Sequence, residues 1–399
     1  MVFCRANKSE AQNLMEIFAD YQSISGQKIN LNKSEMVFNS NLNQTIQTEF
    51  QQYMTIKITN NIDKYLGLPT QVLKNQIFNF IMERNLSFSS RGVLIRAVIQ
   101  AIPSYVMSTF LIPQGICERI EKAISRFWWG GSEEKRRIHW KSKEVLFKSK
   151  FNGGQGFRTM HHFNEALFAK QAWRLIHQPQ TLISKCLKAK YYPHTDLLRA
   201  RRGRNPSFVW SSIHHAEWVI QKGGCWKIGN GSQVNVWEDN WIPQHNGFKI
   251  YTPGANSSSI RQVKELLVED PRGWHQSILE NHFLSFESER IQQLPLVQEV
   301  LEDSYMWMYS QDGNYTVKSG YNFIKEWHYN SLPGPSNNNN NQRIWKASWN
   351  LDTIPRHKDL LWSVLNDAVP VRKALHSKGI TRDMFCPRCV TKIESLKSI

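Results

Sequence analysis

Apolar residues near the start of the chain recur from Ala11 to Ile24 at the three- and four-residue spacing of an amphipathic helix. Ser9 stands where a helix N-cap belongs, and Gly26 stands where a helix would stop. Three short β-branched or alternating segments follow, at residues 28–31, 36–38 and 54–58. The pattern predicts one helix followed by strands and turns.

The region from residue 76 to residue 129 changes to helical periodicity, with interruptions at Pro103 and Pro113. Two apolar faces stand out, one made of Val93, Leu94, Ala97, Val98 and Ala101 and one made of Ile116, Ile120, Ile124 and Phe127. Helices that each have one apolar stripe bury it against a neighbour. The pattern therefore predicts several helices packed on one another.

Two glycine-containing segments interrupt the second half of the chain. Residues 226–237 place a glycine turn between two β-prone pieces, which predicts a hairpin of residues 226–228 with residues 234–237. Residues 331–341 contain two prolines, a glycine and five consecutive asparagines, a composition that cannot form a core. We predict a linker at 331–341 and a last domain that begins near Gln342.

Positive charge is concentrated in one part of the chain. The sequence has 50 Lys and Arg against 33 Asp and Glu, a formal net charge of +17. Between Arg119 and Arg204 there are 20 basic and 6 acidic residues, so +14 of this charge falls within 86 residues. This balance favours a polyanionic partner, although any single cluster is equally well explained as a solvated face.

The cysteines and the apolar stretches restrict the class of protein. Six cysteines are scattered along a chain that lacks a secretory signal pattern at its start, so a disulfide framework is not expected. The longest apolar stretches are broken by charge or proline well before about 18 residues, so no membrane partner is expected. The sequence predicts an intracellular protein and leaves nucleus and mitochondrion open.

A series of short motifs runs along nearly the whole chain: Val2-Phe3-Cys4-Arg5-Ala6, Gly26-Gln27-Lys28-Ile29-Asn30, Tyr65-Leu66-Gly67, Ala101-Ile102-Pro103-Ser104-Tyr105, Phe127-Trp128-Trp129, Gly154-Gln155-Gly156-Phe157 and Trp237-Glu238-Asp239-Asn240-Trp241. In this order they resemble plant LINE-type (non-LTR) retrotransposon reverse transcriptases, and plant mitochondrial open reading frames derived from them. The resemblance implies an α+β, predominantly helical fold. It implies five successive parts: a palm remnant at 1–70, thumb-like helices at 71–130, a basic aromatic connection region at 131–330, the linker at 331–341, and a truncated reverse-transcriptase zinc-binding domain at 342–399.

The catalytic aspartates of such polymerases are missing from this sequence. Reverse transcriptases position two metal ions with aspartates from two palm motifs, one of them an aromatic-Ala-Asp-Asp hairpin. Phe18-Ala19-Asp20 imitates that hairpin but lies within the predicted helix and lacks a second aspartate. We therefore expect no catalytic residue and no polymerase activity. A metal-dependent nuclease is a rival interpretation, and it would require three or more carboxylates converging in one cleft.

Three groups of residues are predicted to contact nucleic acid. The resemblance implies that Tyr65 and Gly67 belong to a primer-grip turn, where glycine lets the backbone approach a strand closely. Guanidinium groups between aromatic residues suit phosphates and unstacked bases, and they occur here at Arg199, Arg201, Arg202 and Arg204. A weaker cluster comprises Lys135, Arg136 and Arg137.

The predicted partner is RNA or DNA, bound without sequence preference. Two alternatives stay open. One is a basic loop that merely packs on a core helix. The other is a helical protein-interaction scaffold with no nucleic-acid role, which would respond little to added RNA.

Cys386 and Cys389 have the spacing of half a zinc knuckle. The resemblance implies a following Glu-Ser or Glu-Thr pair, then a histidine and a last cysteine. Glu394-Ser395 is present, but Ser398 stands near the place of the histidine. His376 and His357 are the other candidate ligands, although no spacing requires either. We expect an incomplete site with weak or substoichiometric zinc and no other cofactor.

The remaining motifs carry little chemistry by themselves. The adjacent pairs His161-His162 and His214-His215 point apart on a helix and are poor chelates. Gly153-Gly154-Gln155-Gly156 lacks the lysine and hydroxyl residue that a phosphate-binding loop needs.

Overall fold

A computed structural model of the chain describes residues 6–26, 28, 30, 34–38, 42–54, 56–59, 64–65, 68–69, 86–131, 137–243, 246–253, 259–296, 301–330 and 339–395. The chain divides into two compact units, residues 1–85 and residues 86–399. Helices dominate and the strands are short, which confirms the predicted α+β, predominantly helical fold. None of the helices within the described ranges is long and apolar enough to cross a membrane.

The first unit contains two helices, α1 (Lys8–Ser25) and α2 (Gln44–Met54). Helix α1 begins after Asn7, whose side chain accepts a hydrogen bond from the backbone N–H of Glu10 at 2.8 Å. It ends at Gly26, where a φ of 67° favours glycine. The predicted helix is therefore present, with Asn7 rather than Ser9 as its N-cap. A small core joins the two helices and comprises Ala11, Phe50, Met54 and Ile56.

Four two-residue strands complete the described part of this unit: β1 (Glu35–Met36), β2 (Lys57–Ile58), β3 (Lys64–Tyr65) and β4 (Leu68–Pro69). Strands β1 and β2 are parallel, with α2 between them along the chain. A parallel pair needs such a crossover because a tight turn cannot join parallel strands. Strands β3 and β4 are antiparallel, with Tyr65 opposite Leu68.

The second unit is built mainly of helices: α3 (Phe88–Leu94), α4 (Ser104–Thr109), α5 (Gln114–Trp128), α6 (Lys143–Phe147), α7 (Met160–His177), α8 (Leu182–Tyr191), α9 (Phe208–Gly223), α10 (Gln276–His282), α11 (Ser285–Gln292), α12 (Val317–Asn330), α13 (Asn339–Asn350), α14 (Pro355–Leu365) and α15 (Arg372–Ser377). A π-helical turn, Ile95–Ile99, follows α3 directly. The strands of this unit are β5 (Gly224–Lys227), β6 (Leu267–Glu269), β7 (Arg272–Trp274) and β8 (Ser304–Trp307).

The main core lies between helices α7, α9 and α12 and strand β8. The largest fully buried side chains of this core are Trp210, Trp307 and Tyr315. Tyr315 donates a hydrogen bond from its hydroxyl to the carbonyl oxygen of Ala166 at 3.0 Å, and its ring lies against Gly320 in α12. Any β-carbon at residue 320 would overlap the tyrosine hydroxyl. Gly320 is therefore required for the close approach of α12 to this ring.

The predicted hairpin of residues 226–228 with residues 234–237 is wrong. Strand β5 pairs instead with β8, antiparallel, and Lys227 lies opposite Ser304. The glycine turn is held by Asp303, whose carboxylate accepts the backbone N–H groups of Gly229, Gly231 and Gln233 at 2.7, 2.8 and 2.9 Å. Because these donors bind a carboxylate, they do not form the ladder of a local hairpin. The residues after the turn contribute to a second core with Trp241 and Leu266.

A third group of aromatic side chains lies around Trp128, which is edge-on to Phe157 and to Trp362 at centroid distances of 5.4 and 6.2 Å. The indole N–H of Trp362 donates to the carbonyl oxygen of Gly153 at 2.8 Å. Ser89 donates a hydrogen bond to Asp359 at 2.6 Å. Within the second unit, helix α14 therefore packs on the segment that holds the glycine-rich turn. Helix α13, which precedes α14, begins at Asn339, inside the run of asparagines.

Candidate nucleic-acid interface and metal-ligating clusters

The loop that carries the predicted arginines joins α8 to α9 and is fixed at both ends. Trp210, buried in α9, stacks on Tyr191 at a centroid distance of 4.7 Å and an interplanar angle of 2°. Its indole N–H donates to the carbonyl oxygen of Arg202 at 3.1 Å. The hydroxyl of Tyr191 accepts the backbone N–H of Ser207 at 2.9 Å. The aromatic residues are therefore the support of the loop rather than a free stacking surface.

Three of the four arginines are exposed and differ from Arg199 in their partners. Arg201, Arg202 and Arg204 are exposed, and no carboxylate within the described ranges forms an ion pair with them. A guanidinium group without a protein partner keeps its donors available for phosphate oxygens. These three side chains give the loop an unneutralised positive face.

Arg199 is in a different environment. Its guanidinium lies 2.7 Å from Asp239, 3.2 Å from Asp196 and 3.6 Å from Glu238. Burial raises the pKa of Asp239, while the N–H of Asn235 and the charge of Arg199 oppose that rise. Three carboxylates surround one guanidinium, so the local charge around Arg199 is negative. Arg199 connects the loop to the turn that contains Asp239.

Further exposed cationic and aromatic groups lie in the helices on either side of the loop. Lys185, Lys188 and Lys190 in α8 are all exposed. Phe208, at the start of α9, is 84% exposed and lies four residues after Arg204. Between Leu182 and Arg204 the sequence has seven Lys and Arg and one Asp. Cationic side chains beside an exposed aromatic ring form the combination that single-stranded nucleic acid binds.

The other predicted nucleic-acid positions are described only in part. Tyr65 lies in β3, and Gly67 lies outside the described residues. Lys135 and Arg136 also lie outside them, while Arg137 is described and exposed. The primer-grip and the 135–137 assignments therefore remain predictions.

Cys386 and Cys389 lie on a tight turn with the backbone pattern of a knuckle. Phe385 forms an antiparallel bridge with Ile393, and the N–H of Cys386 donates to the carbonyl oxygen of Lys392 at 2.7 Å. Backbone N–H groups of Lys392 and Thr391 lower the pKa of the Cys389 thiol to about 7. Val390 completes the turn at a φ of 57°, a conformation that favours glycine.

The fit of this turn to zinc is partial. Two thiols on one turn can reach one ion, and tetrahedral zinc needs two more donors. Among the described residues, no third histidine, cysteine or carboxylate joins Cys386 and Cys389 in a metal-sized cluster. His376 and His357 belong to no such cluster either. The donor set within the described ranges therefore fits half of a zinc site.

The structure brings together a group of side chains that the sequence motifs had not connected. His161 and Glu165 in α7 and His215 in α9 offer ligand atoms that all lie within 4.8 Å of one another. Each adjacent histidine pair contributes one member, since His161 and His215 both lie near the carboxylate of Glu165. The available signal was the four-residue spacing of His161 and Glu165, which places both on one helix face.

Sequence comparisons agree with the order of motifs along the chain. Residues 315–399 match the family model described as zinc-binding in reverse transcriptase. An uncharacterized mitochondrial protein of Arabidopsis thaliana is 42% identical over 143 residues, which are 36% of this chain and 93% of that relative. A putative ribonuclease H protein of the same plant is 27% identical over 322 residues, which are 79% of this chain and only half of that relative. The chain belongs to the family of plant retrotransposon-derived proteins related to LINE-type (non-LTR) reverse transcriptases.

Proposed function

We propose that this chain is a non-catalytic relative of the retrotransposon RNA-directed DNA polymerase that binds RNA or DNA without sequence preference. The observation that carries the proposal is the loop with Arg201, Arg202 and Arg204, which is fixed by Trp210 and exposes three guanidinium groups that form no ion pair within the described part of the chain. Phosphate contacts of this kind provide affinity and do not read bases. Binding is therefore electrostatic and weakly selective.

The arrangement of the loop suits single strands better than duplexes. Phe208, four residues after Arg204, exposes most of its ring, and any unpaired base has a face that can stack on an aromatic ring. In a duplex the bases are already stacked on one another and are not available to this ring. We therefore expect single-stranded RNA and DNA to bind more tightly than duplexes of the same length.

The absence of polymerase activity is the second part of the proposal. Two-metal catalysis needs converging carboxylates, and the 399 residues contain no pair of adjacent aspartates such as the family motif requires. Within the described ranges no three carboxylates bring their oxygens close enough together to share a metal ion, and the three around Arg199 contact its guanidinium instead, which also argues against the nuclease interpretation. The purified chain with a primed RNA template, Mg²⁺ or Mn²⁺ and deoxynucleotides should extend no primer. Template-dependent extension above a mock purification would contradict this.

The binding proposal is tested with a charge-matched pair of variants. Fluorescence anisotropy of labelled single-stranded RNA should show weaker binding for the triple variant Arg201→Gln, Arg202→Gln, Arg204→Gln. The control replaces three exposed lysines outside the loop, Lys249→Gln, Lys318→Gln and Lys373→Gln, and removes the same charge. The control should retain most of the affinity.

Two outcomes would oppose the proposal. Equal loss in both triple variants would mean that only net charge matters and that the loop is not the site. Parental RNA binding that is undetectable at low salt would favour the protein-interaction scaffold.

A further inference from the structure

A buried carboxylate lies where helices α7 and α9 face each other. Glu165 has a side chain only 5% exposed, and its Oε1 atom lies 3.4 Å from Nε2 of His215 and 3.8 Å from Nε2 of His161. The rings of the two histidines are 6.4 Å apart. Three potential ligands from two helices therefore point at one small volume.

The positions of these side chains follow from the packing of α7. His161 and Glu165 are four residues apart in the first turns of α7, so both lie on one face. Asn164, between them, accepts the N–H of Ile112 at 2.6 Å and donates to the carbonyl oxygen of Met107 at 2.6 Å. These buried hydrogen bonds fix the rotation of α7, which directs the face with Glu165 toward His215.

The spacing of the donor atoms suits one small cation. In a tetrahedral site with metal–ligand bonds of about 2.0 to 2.1 Å, neighbouring ligand atoms lie roughly 3.3 Å apart. The His215–Glu165 distance of 3.4 Å is already close to this value, and the His161–Glu165 distance of 3.8 Å needs only a small rotation of the ring. All three ligand atoms lie within 4.8 Å of one another, so the two histidine nitrogens need to approach by no more than about 1.5 Å to reach tetrahedral spacing.

A second observation points independently to a missing ligand. Within the described part of the chain, the other oxygen of Glu165, Oε2, is buried and has no hydrogen-bond partner. A buried carboxylate oxygen without a partner costs free energy. A metal ion at this carboxylate, or the water bound to it, would supply the missing partner.

We propose that His161, Glu165 and His215 bind a divalent transition-metal ion, with Zn²⁺ as the best match to the donors. Two imidazoles and one carboxylate are borderline ligands that suit Zn²⁺ better than Mg²⁺ or Ca²⁺. His215 is half exposed and His161 about a quarter exposed, so the fourth position faces solvent and takes water. This site is separate from Cys386 and Cys389, and it does not depend on the nucleic-acid proposal.

The experiment uses the full chain without a polyhistidine tag, carrying Cys386→Ser and Cys389→Ser to remove the thiol pair. After loading with ZnCl₂ and dialysis, atomic emission should give about one zinc per chain. His161→Ala and His215→Ala, each added separately, should bring this value close to zero. His194→Ala, which removes an exposed histidine outside the cluster, should leave it unchanged.

Cobalt provides a second measurement that distinguishes the ligand class. Co²⁺ added to the same cysteine-free chain should give visible d–d bands without sulfur-to-metal charge-transfer absorption, and the bands should disappear in His215→Ala. Thermal unfolding in EDTA checks that each variant still folds. The proposal is overturned if the cysteine-free chain binds no zinc, or if zinc content is the same in His161→Ala and His215→Ala as in their parent.

Discussion

Arg199 donates a hydrogen bond to Asp239 at 2.7 Å across 40 residues of chain, while Arg201, two residues later, is exposed and has no acidic partner within the described ranges. The two arginines look equivalent in the sequence. Their environments differ because the turn that contains Asp239 packs beside the start of the loop. One arginine stabilises the loop, and its neighbours are available to a ligand.

This difference predicts opposite effects for two single substitutions. Arg199→Gln should lower the free energy of unfolding by about 1 kcal/mol, because it leaves Asp239 with one fewer partner. Arg201→Gln should change stability by less than about 0.5 kcal/mol but should weaken RNA binding more than Arg199→Gln does. Urea denaturation and anisotropy measure the two quantities. Equal effects of both variants on both quantities would refute the distinction.

We expect the free energy of unfolding to depend on pH through Lys325. Burial lowers the pKa of its ammonium group to about 8, and the group donates to the carbonyl oxygen of Phe147 at 2.7 Å. In the unfolded chain the group keeps a pKa of about 10.4, so between these values the unfolded state binds more protons. Stability of the parent relative to Lys325→Met should therefore rise by about 2 to 3 kcal/mol as pH increases from 8 to 10.5. A constant difference across this range would mean that Lys325 is not desolvated.

Substitution of Gly320 should change the stability of the chain through packing alone. Gly320→Ala should destabilise the chain by about 2 to 3 kcal/mol, because the added methyl group displaces the ring of Tyr315 and weakens its hydrogen bond to Ala166. Gly115→Ala is the matched control. It lies in helix α5, where an added β-carbon would meet no atom within 4 Å beyond its chain neighbours and its own helix backbone, and it should stabilise slightly, by about 0.4 to 1 kcal/mol. Thermal unfolding of both variants gives the comparison.

Several elements could be predicted from the sequence because their signals are local. Helix α1 follows from the spacing of its apolar residues and from Gly26, and only its N-cap differs, since Asn7 rather than Ser9 accepts the N–H of Glu10. The pairing of β5 could not be predicted in this way. Its partner, β8, begins about 80 residues later, and the turn after β5 is held by Asp303, which the sequence gives no reason to connect with Gly229.

The candidate site residues likewise include some with a local sequence signal and some that only the fold brings together. A cluster of arginines and a Cys-x-x-Cys turn are visible as short motifs, so Arg201, Arg202, Arg204, Cys386 and Cys389 could be named in advance. The sequence could not show which arginine is neutralised, because only the fold brings Asp239 to Arg199. The cluster of His161, Glu165 and His215 forms because helices α7 and α9 face each other. The adjacent histidine pairs in the sequence do not show that these two helices come together.

We expect Cys386 and Cys389 to bind zinc only weakly when they act alone. In a chain with His161→Ala and His215→Ala, zinc should be well below one equivalent after dialysis and should be released readily by a chelator, because two thiolates supply half of a tetrahedral shell. Further substitution Cys386→Ser should remove the remainder. Retention of a full equivalent that disappears in Cys386→Ser would show that other residues complete the site.

The salt dependence of single-stranded RNA binding, compared between the parent chain and the triple variant Arg201→Gln, Arg202→Gln, Arg204→Gln, measures phosphate contact by the loop most directly. Each phosphate contact contributes about 0.7 to the slope of log affinity against log salt concentration on a single strand. Loss of three contacts should make the slope shallower by about 2, with little change in thermal stability. The same slope in both proteins would show that these arginines do not touch the phosphate backbone and that the loop is not the nucleic-acid site.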